Sequence, residues 1–288
     1  MPRRDGYIPG VPCWVDTSQP DPEAAARFYG GLFGWELENA MPEGSGGAYF
    51  MARLGGGDVA AVSGIPDGAP RMATWNTYIW VDSADDTAAA VRSAGGTVMT
   101  EPFDVMDAGR MAVFADPEGA VFCVWQAGRH RGSQVVNEPG SVNFNNLNTR
   151  DAAGAKAFYG AVFGWGTLDL GGGEAWTLPG YGDHLERNDP GLRERTAELG
   201  GPEGFVDVVA SLNPIPDDQP GTPPHWGVTF ASADADADAA KAAELGGTVV
   251  VAPFDAPWVR MTIITDPQGA TFVASQFKPE NRDLAADV

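Results

Sequence analysis

The chain is poor in the residues that bind metals and in the stretches that cross membranes. Its 288 residues include only two cysteines and three histidines. Cys13 and Cys123 have no metal-binding spacing and are too few for a disulfide framework. No apolar run approaches the ~18 residues needed to span a bilayer. The opening MPRRDGYIPG has two arginines but no apolar stretch behind them, so no signal peptide is expected. Positive charge is scarce too: 18 Lys and Arg against 39 Asp and Glu give a formal charge of −21. Such a surface repels phosphate backbones and anionic lipids, which argues against nucleic-acid and membrane partners. The glycine runs at 44–47, 55–57 and 171–173 match neither a P-loop nor GxGxxG, and no GxSxG elbow occurs. What is left is a cytoplasmic globular protein, monomeric or a homodimer.

What the chain does contain is repetition. Residues 28–35 read FYGGLFGW and residues 158–165 read FYGAVFGW; DPEGA at 116–120 returns as DPQGA at 266–270. Self-similarity on this scale means a duplicated scaffold. With 43% hydrophobic residues, among them 9 Trp, 6 Tyr and 14 Phe, two domains can each bury a core.

Each octapeptide ends an alanine-rich helix. Asp21 suits its N-cap, Pro22 its first turn and Gly34 its left-handed close. Ala25, Phe28, Tyr29 and Leu32 share one face, as do Phe158, Tyr159 and Val162, and that face is expected to pack on the back of a sheet. Strand, helix and three further β segments then recur four times. The expected modules span 7–66 and 73–128 in an N-terminal domain (1–130), and 140–213 and 222–278 in a C-terminal domain (139–288). A polar linker lies between the domains, and an insertion at 179–204 lengthens the third module with a helix expected over 190–199. Residues from Lys278 are expected to fray. The run DADAD at 234–238 reads as a helix start with a solvated face, and Arg110 and Arg260 as matched structural ion pairs. Helices on one face of antiparallel-rich sheets give an α+β fold of four βαβββ modules. The uncovered sheet faces curve into two cups able to hold small ligands.

The four βαβββ units, FYxxxFGW, the GG-T-V stretch and the DPxGA hairpin together resemble the vicinal oxygen chelate superfamily, which includes glyoxalase I, extradiol dioxygenases and bleomycin-resistance proteins. PCWVD, DAGRM and PGYGD are similar to a two-domain glyoxalase-like subgroup often labelled hydroxylase, which includes a mycobacterial culture-filtrate antigen. The resemblance implies where metal ligands would stand. First-strand histidines fall near Trp14 and Phe144. The second pair falls near Asn76 and Gly227, with His225 two residues earlier on the same face. The last-strand glutamates fall at Cys123 and Val273. Asp207, just inside the third module's last strand, gives no site alone. Neither cup assembles two His or Glu ligands, whereas an oxygen-activating metal usually needs three. No metal and no cofactor are therefore expected.

Strand parity then fills the cups. In the first, Trp14, Asp16 and Ser18 face Asn76, Tyr78 and Trp80, with Val121, Cys123 and Trp125 beside them. This is an aromatic pocket with one carboxylate. Asp16 is a candidate general base, since a carboxylate walled by tryptophan has a raised pKa; a hydrogen-bonded structural Asp is the plain alternative. In the second, Phe144, Asn146 and Asn148 stand opposite His225 and Thr229, with Val273 on the last strand. His225 is a candidate acid/base group or a structural imidazole. His130 sits in the linker. His184, with Tyr181 and Asp183, lies in a loop that could lid the second cup. The expected function is metal-independent binding of a small apolar or aromatic metabolite in one or both cups, for sequestration and resistance or for simple acid/base conversion in secondary metabolism. The alternative is a metal-dependent oxygenase or lyase with atypical ligands such as His225, Asp16 or Cys123. Whether the protein is an enzyme stays open between these readings.

Overall fold

A computed structural model of the chain describes residues 3–42, 44, 47–65, 68, 71–170 and 173–287, with side chains to residue 284. The first unit comprises β1 (Pro12–Gln19), α1 (Pro22–Phe33), β2 (Glu36–Asn39), β3 (Tyr49–Leu54) and β4 (Gly57–Gly64). The second comprises β5 (Thr74–Trp80), α2 (Ala84–Ser93), β6 (Thr97–Val105), β7 (Gly109–Ala115) and β8 (Val121–Ala127). The third runs through β9 (Val142–Thr149), α3 (Ala152–Phe163), β10 (Gly166–Asp169), β11 (Glu174–Thr177), α4 (Tyr181–Asn188), α5 (Leu192–Glu198) and β12 (Val208–Pro214). The fourth holds β13 (His225–Ser232), α6 (Ala235–Glu244), β14 (Thr248–Ala256), β15 (Val259–Thr265) and β16 (Thr271–Phe277). The architecture is α+β.

The helices begin and end for the reasons written in the sequence. Asp21 accepts from the Ala24 amide at 2.9 Å, and Gly34 closes α1 with φ 71°. Asp151 and Gly164 repeat both devices at α3. Only glycine adopts that left-handed conformation at little cost. In DADAD, Asp234 caps the Asp236 and Ala237 amides. Arg110 pairs with Asp85 and Asp104, and Arg260 with Asp236 and Asp255, tying each helix start to its sheet.

Each pair of units forms one eight-stranded sheet, in the orders β2-β3-β4-β1-β5-β8-β7-β6 and β10-β11-β12-β9-β13-β16-β15-β14. The opening strands of the two units pair antiparallel at the centre, and each unit's last strand runs parallel to its first. The sheets stand back to back. One core gathers α1 and the first unit with β13, α6 and β16; the other gathers the second unit with α3 and the third. Thr77 on β5 donates to the Asn145 side chain on β9 at 2.9 Å across the seam. The cups therefore open in opposite directions.

The repeated motifs join these halves. Tyr29 of the first octapeptide donates to Asp266 of DPQGA at 2.8 Å and accepts from the Trp75 indole at 3.1 Å. Tyr159 of the second donates to Asp116 of DPEGA at 3.1 Å and accepts from Trp226 at 2.9 Å. The closing tryptophans cross over as well: Trp35 donates to the Gly140 carbonyl at 2.7 Å and Trp165 to that of Gly10 at 2.8 Å. The octapeptides do pack behind a sheet, and each also clasps the opposite half. Tyr29→Phe and Tyr159→Phe should each cost about 1–3 kcal/mol, because each leaves a buried indole N–H without its acceptor. Chemical denaturation of the two variants would read this directly. Gly96 serves the same seam, since a Cβ there would lie 2.7 Å from the Phe158 ring.

Several expectations need correction. The insertion holds two helices, α4 and α5, where one helix over 190–199 and a loop around Tyr181 were expected. Val206 and Asp207 belong to a short 3-10 turn (Phe205–Asp207) and β12 starts only at Val208. The C-terminal residues form a 3-10 helix (Pro279–Asp287) held by Asn281, which donates to Asp255 and the Val259 carbonyl. Of the glycine-run positions, 45, 46, 171 and 172 lie outside the described residues. Among the described residues no helix is long and apolar enough to cross a membrane.

Candidate functional site

Register decides what meets in the first cup. β1 and β5 pair so that Trp14 stands opposite Tyr78, Asp16 opposite Asn76 and Ser18 opposite Thr74. β5 and β8 then set Tyr78 beside Cys123 and Trp80 beside Trp125. The predicted set is thus brought together, with Trp80 and Trp125 at the far end from Ser18.

Asp16 is its centre, 3% exposed. Its Oδ1 accepts from the Asn76 amide at 2.8 Å; its Oδ2 accepts from the hydroxyls of Tyr78 at 2.9 Å and Tyr49 at 3.1 Å. Burial pushes the carboxyl above its ordinary range, and the three hydrogen bonds pull it part of the way back. Burial also drives the Cys123 thiol and the Tyr49 and Tyr78 hydroxyls upward, so these stay neutral at pH 7. One carboxylate held by neutral donors remains. Ser18, Tyr49, Ser63 and Asn76 are only half-buried, whereas Trp14, Tyr78, Trp80, Cys123 and Trp125 pack together in one buried cluster.

Two members of this cup could not be read from the sequence. Tyr49 accepts from the Trp14 indole at 3.0 Å and arrives because β3 pairs Tyr49 with Ser63 and Met51 with Ala61. His130, placed in the linker, packs edge-on against Trp14 at 4.3 Å and near Trp125 at 5.7 Å, while its carbonyl accepts from the Trp125 indole. Burial lowers its pKa, which keeps the ring neutral, and its Nε2 has no hydrogen-bond partner.

In the second cup, β9 and β13 place His225 opposite Asn148, Gly227 opposite Asn146 and Thr229 opposite Phe144; Val273 lies beside Thr229. The polar groups are bonded to one another. Asn146 donates to Thr229 at 2.7 Å and accepts from Ser211 at 2.6 Å. His225 is exposed at the rim, its Nδ1 2.9 Å from the Pro223 carbonyl and its Nε2 3.3 Å from the Asn148 amide. These contacts engage both ring nitrogens. His184 lies on α4, stacked on Tyr181 and bonded to Asn188, rather than in a free lid. Asp207 caps that helix, accepting from the Gly182 amide at 2.7 Å. A cavity of about 420 Å³ opens between α4, α5, β9 and the N-terminal arm, with Phe144 and Tyr181 in its wall.

The residues at the positions of the superfamily's metal ligands do not fit a divalent ion. Trp14, Asn76, Phe144, Gly227 and Val273 offer no anionic or imidazole donor, and Cys123 is held as a thiol. Among the described residues, no three His, Cys, Asp or Glu side chains stand together as a ligand set.

The sequence matches the family described as the Glyoxalase/Bleomycin resistance protein/Dioxygenase superfamily over residues 14–124 and 140–273. CFP32 of Mycobacterium tuberculosis, named a glyoxylase, is 42% identical over 284 residues, covering 97% of this chain and 98% of its own length. DnrV of Streptomyces peucetius, named an anthracycline biosynthesis protein, is 37% identical over 279 residues, covering 92% and 93%. Among solved structures, a Mn(II)-bound glyoxalase from Novosphingobium aromaticivorans superposes with TM-score 0.59 at 16% identity, over 93% of this chain and 83% of its own. The 2,3-dioxygenase LapB from Pseudomonas sp. KL28 gives 0.59 at 12% identity, over 94% and 93%. At such identities the structures speak for the fold alone. Two matched segments, each covering one pair of βαβββ units, place the chain in the glyoxalase/bleomycin resistance/dioxygenase superfamily, the vicinal oxygen chelate proteins.

Proposed function

We propose that the protein binds a small, flat, apolar or aromatic metabolite at the mouth of the first cup without using a metal, with Asp16 as the acidic partner of the ligand. The observation that carries this is a buried carboxylate fixed by Tyr49, Tyr78 and Asn76, with half-buried polar groups Ser18, Tyr49 and Asn76 bonded into the same network. Aromatic walls suit a planar ligand, and a carboxylate of raised pKa is a better base than an exposed one. Asp16 can accept the proton of a phenol, or take one from a carbon beside a ring ketone and return it elsewhere in an isomerisation. Binding alone would serve sequestration; proton transfer would serve a biosynthetic step. DnrV, named for anthracycline biosynthesis, suggests polycyclic aromatic ketones as the first class to try.

The test is a thermal-shift screen of aromatic metabolites, anthraquinones included, with chelator and with added Fe(II), Mn(II), Zn(II) or Ni(II). Stabilisation by a ligand in chelator, unchanged by metals, is expected; stabilisation only with metal would favour an oxygenase or lyase with atypical ligands. The first cup carries a pH signature too. The Tyr49 hydrogen bond lowers the Asp16 pKa, so Tyr49→Phe lets it rise. The low-pH limb of binding or turnover should then move to higher pH, as a pH series on the variant would show.

A further inference from the structure

The N-terminal arm carries a cation that has no counter-ion among the described residues. Arg4 is half-buried and lines the cavity of about 420 Å³ beside α4 and α5. The arm is fixed in place: the Arg4 amide donates to the Gln134 carbonyl at 2.9 Å and the Tyr7 hydroxyl to that of Ser133 at 2.7 Å. The guanidinium lies over the rings of Tyr7 and Tyr181, at 5.1 and 6.0 Å. It donates to the Tyr181 hydroxyl at 2.7 Å. No described carboxylate pairs with it, in a chain where 39 acidic residues outnumber 18 basic ones. Asp5 lines the same cavity without an ion pair to Arg4, and Asp189 is held by Arg195 at 2.7 Å.

A guanidinium has five N–H donors and is always charged, so donors remain for a ligand. The Tyr181 hydroxyl, which accepts from Arg4, still has its own proton to give. Asn143 of β9 lines the same cavity, and its side-chain amide forms no hydrogen bond among the described residues. Arg4 and Tyr181 thus bring donors together in the wall of the cavity, and Asn143 adds a further amide to its lining. The lining also holds apolar side chains, among them Phe144, Leu185, Leu192 and Phe205. We infer that this cavity is a second binding site, distinct from the first cup, for a small organic anion with a flat apolar body, its charged group on Arg4 and Tyr181 and its body against Phe144 and Leu192. A fixed arm reduces the ordering cost of binding, and charge-assisted hydrogen bonds select an anion over a neutral analogue.

Calorimetric titration of the full chain with naphthalene carboxylate and with its neutral carboxamide tests this. The carboxylate should bind roughly tenfold or more tighter than the amide, the worth of a charge-assisted pair. Arg4→Met should reduce that preference to about twofold or less, while Leu192→Trp, which fills the cavity and keeps Arg4, should weaken the carboxylate by roughly tenfold or more. Because a flat aromatic probe could also enter the first cup, the readout is the acid-over-amide preference, which Asp16→Asn should leave in place and Arg4→Met should remove, so failure here and failure of the first-cup reading are separable. Equal affinity for acid and amide, a preference that survives Arg4→Met, or no binding of the acid to the wild-type chain would overturn the inference.

Discussion

Asp266→Ala should destabilise the protein by about 3–5 kcal/mol, the scale of removing one partner from a buried charged network. Asp266 is 3% exposed. Its Oδ1 accepts from the amides of Gln268, Gly269 and Ala270 at 2.9, 2.8 and 3.0 Å. Its Oδ2 accepts from Gln19 at 2.7 Å and Tyr29 at 2.8 Å, both in the other half of the chain. One substitution therefore frees a hairpin and unlatches the domains together. At about 2–4 °C per kcal/mol, the melting temperature should fall by roughly 6–20 °C. Asp116→Ala should cost less, because that carboxylate receives only the Glu118 and Ala120 amides and Tyr159. Denaturant unfolding of both variants checks the order. Equal losses, or a loss under about 1 kcal/mol for Asp266→Ala, would mean the clasp is not what holds the halves.

Asp16→Asn is expected to do the opposite to stability and to remove function. Burial raises the Asp16 pKa above its unfolded value, so the stability it contributes is present at low pH, where it is protonated in both states. That contribution is lost as pH rises through the folded pKa. The neutral amide escapes this loss and can still meet Asn76, Tyr49 and Tyr78 with hydrogen bonds. Asp16→Asn should therefore be at least as stable as wild type at pH 7, with the difference shrinking on acidification. Any turnover that uses Asp16 as base should fall by about 10²–10⁴. Gain in stability with loss of activity is the pattern of a residue kept for chemistry. Melting curves at several pH values, read beside turnover or ligand affinity, decide it. A variant that unfolds at pH 7 and is rescued only by Asp would mark Asp16 as structural.

Much of this was legible in the chain. The fold followed from local signals that the tertiary structure reinforces: Asp21, Pro22 and Gly34 bound α1, and Asp151 and Gly164 do the same for α3. Within the first cup, Asp16, Asn76 and Tyr78 could be grouped because strand parity is strict and the opening strands of paired units lie side by side. Tyr49 could not, since its position depends on the β3–β4 hairpin register, which glycine-rich connections leave unspecified. His130 depends on the path of a linker that has no periodicity of its own.

The insertion departs from its expected form for a definite reason. α4 begins after Gly180 at φ 86° and has no side-chain N-cap; the Gly182 amide is satisfied by Asp207, far along the chain. A helix started by a distant residue leaves no capping signature beside it. Arg4 was legible only as a charge near the N-terminus; its meaning came from Tyr7, Tyr181 and the insertion helices. The octapeptides showed their apolar face in the sequence, but not that Tyr29 and Tyr159 reach carboxylates of the opposite domain.

The most direct measurement is a calorimetric titration of chelator-stripped protein with the best aromatic ligand from the screen, repeated after adding Mn(II) or Fe(II) and in Asp16→Asn. Saturable binding without metal, unchanged when metal is restored and weakened by roughly tenfold or more in Asp16→Asn, is the expected result. Binding that appears only with metal, or that Asp16→Asn leaves intact, would contradict metal-independent recognition at the first cup.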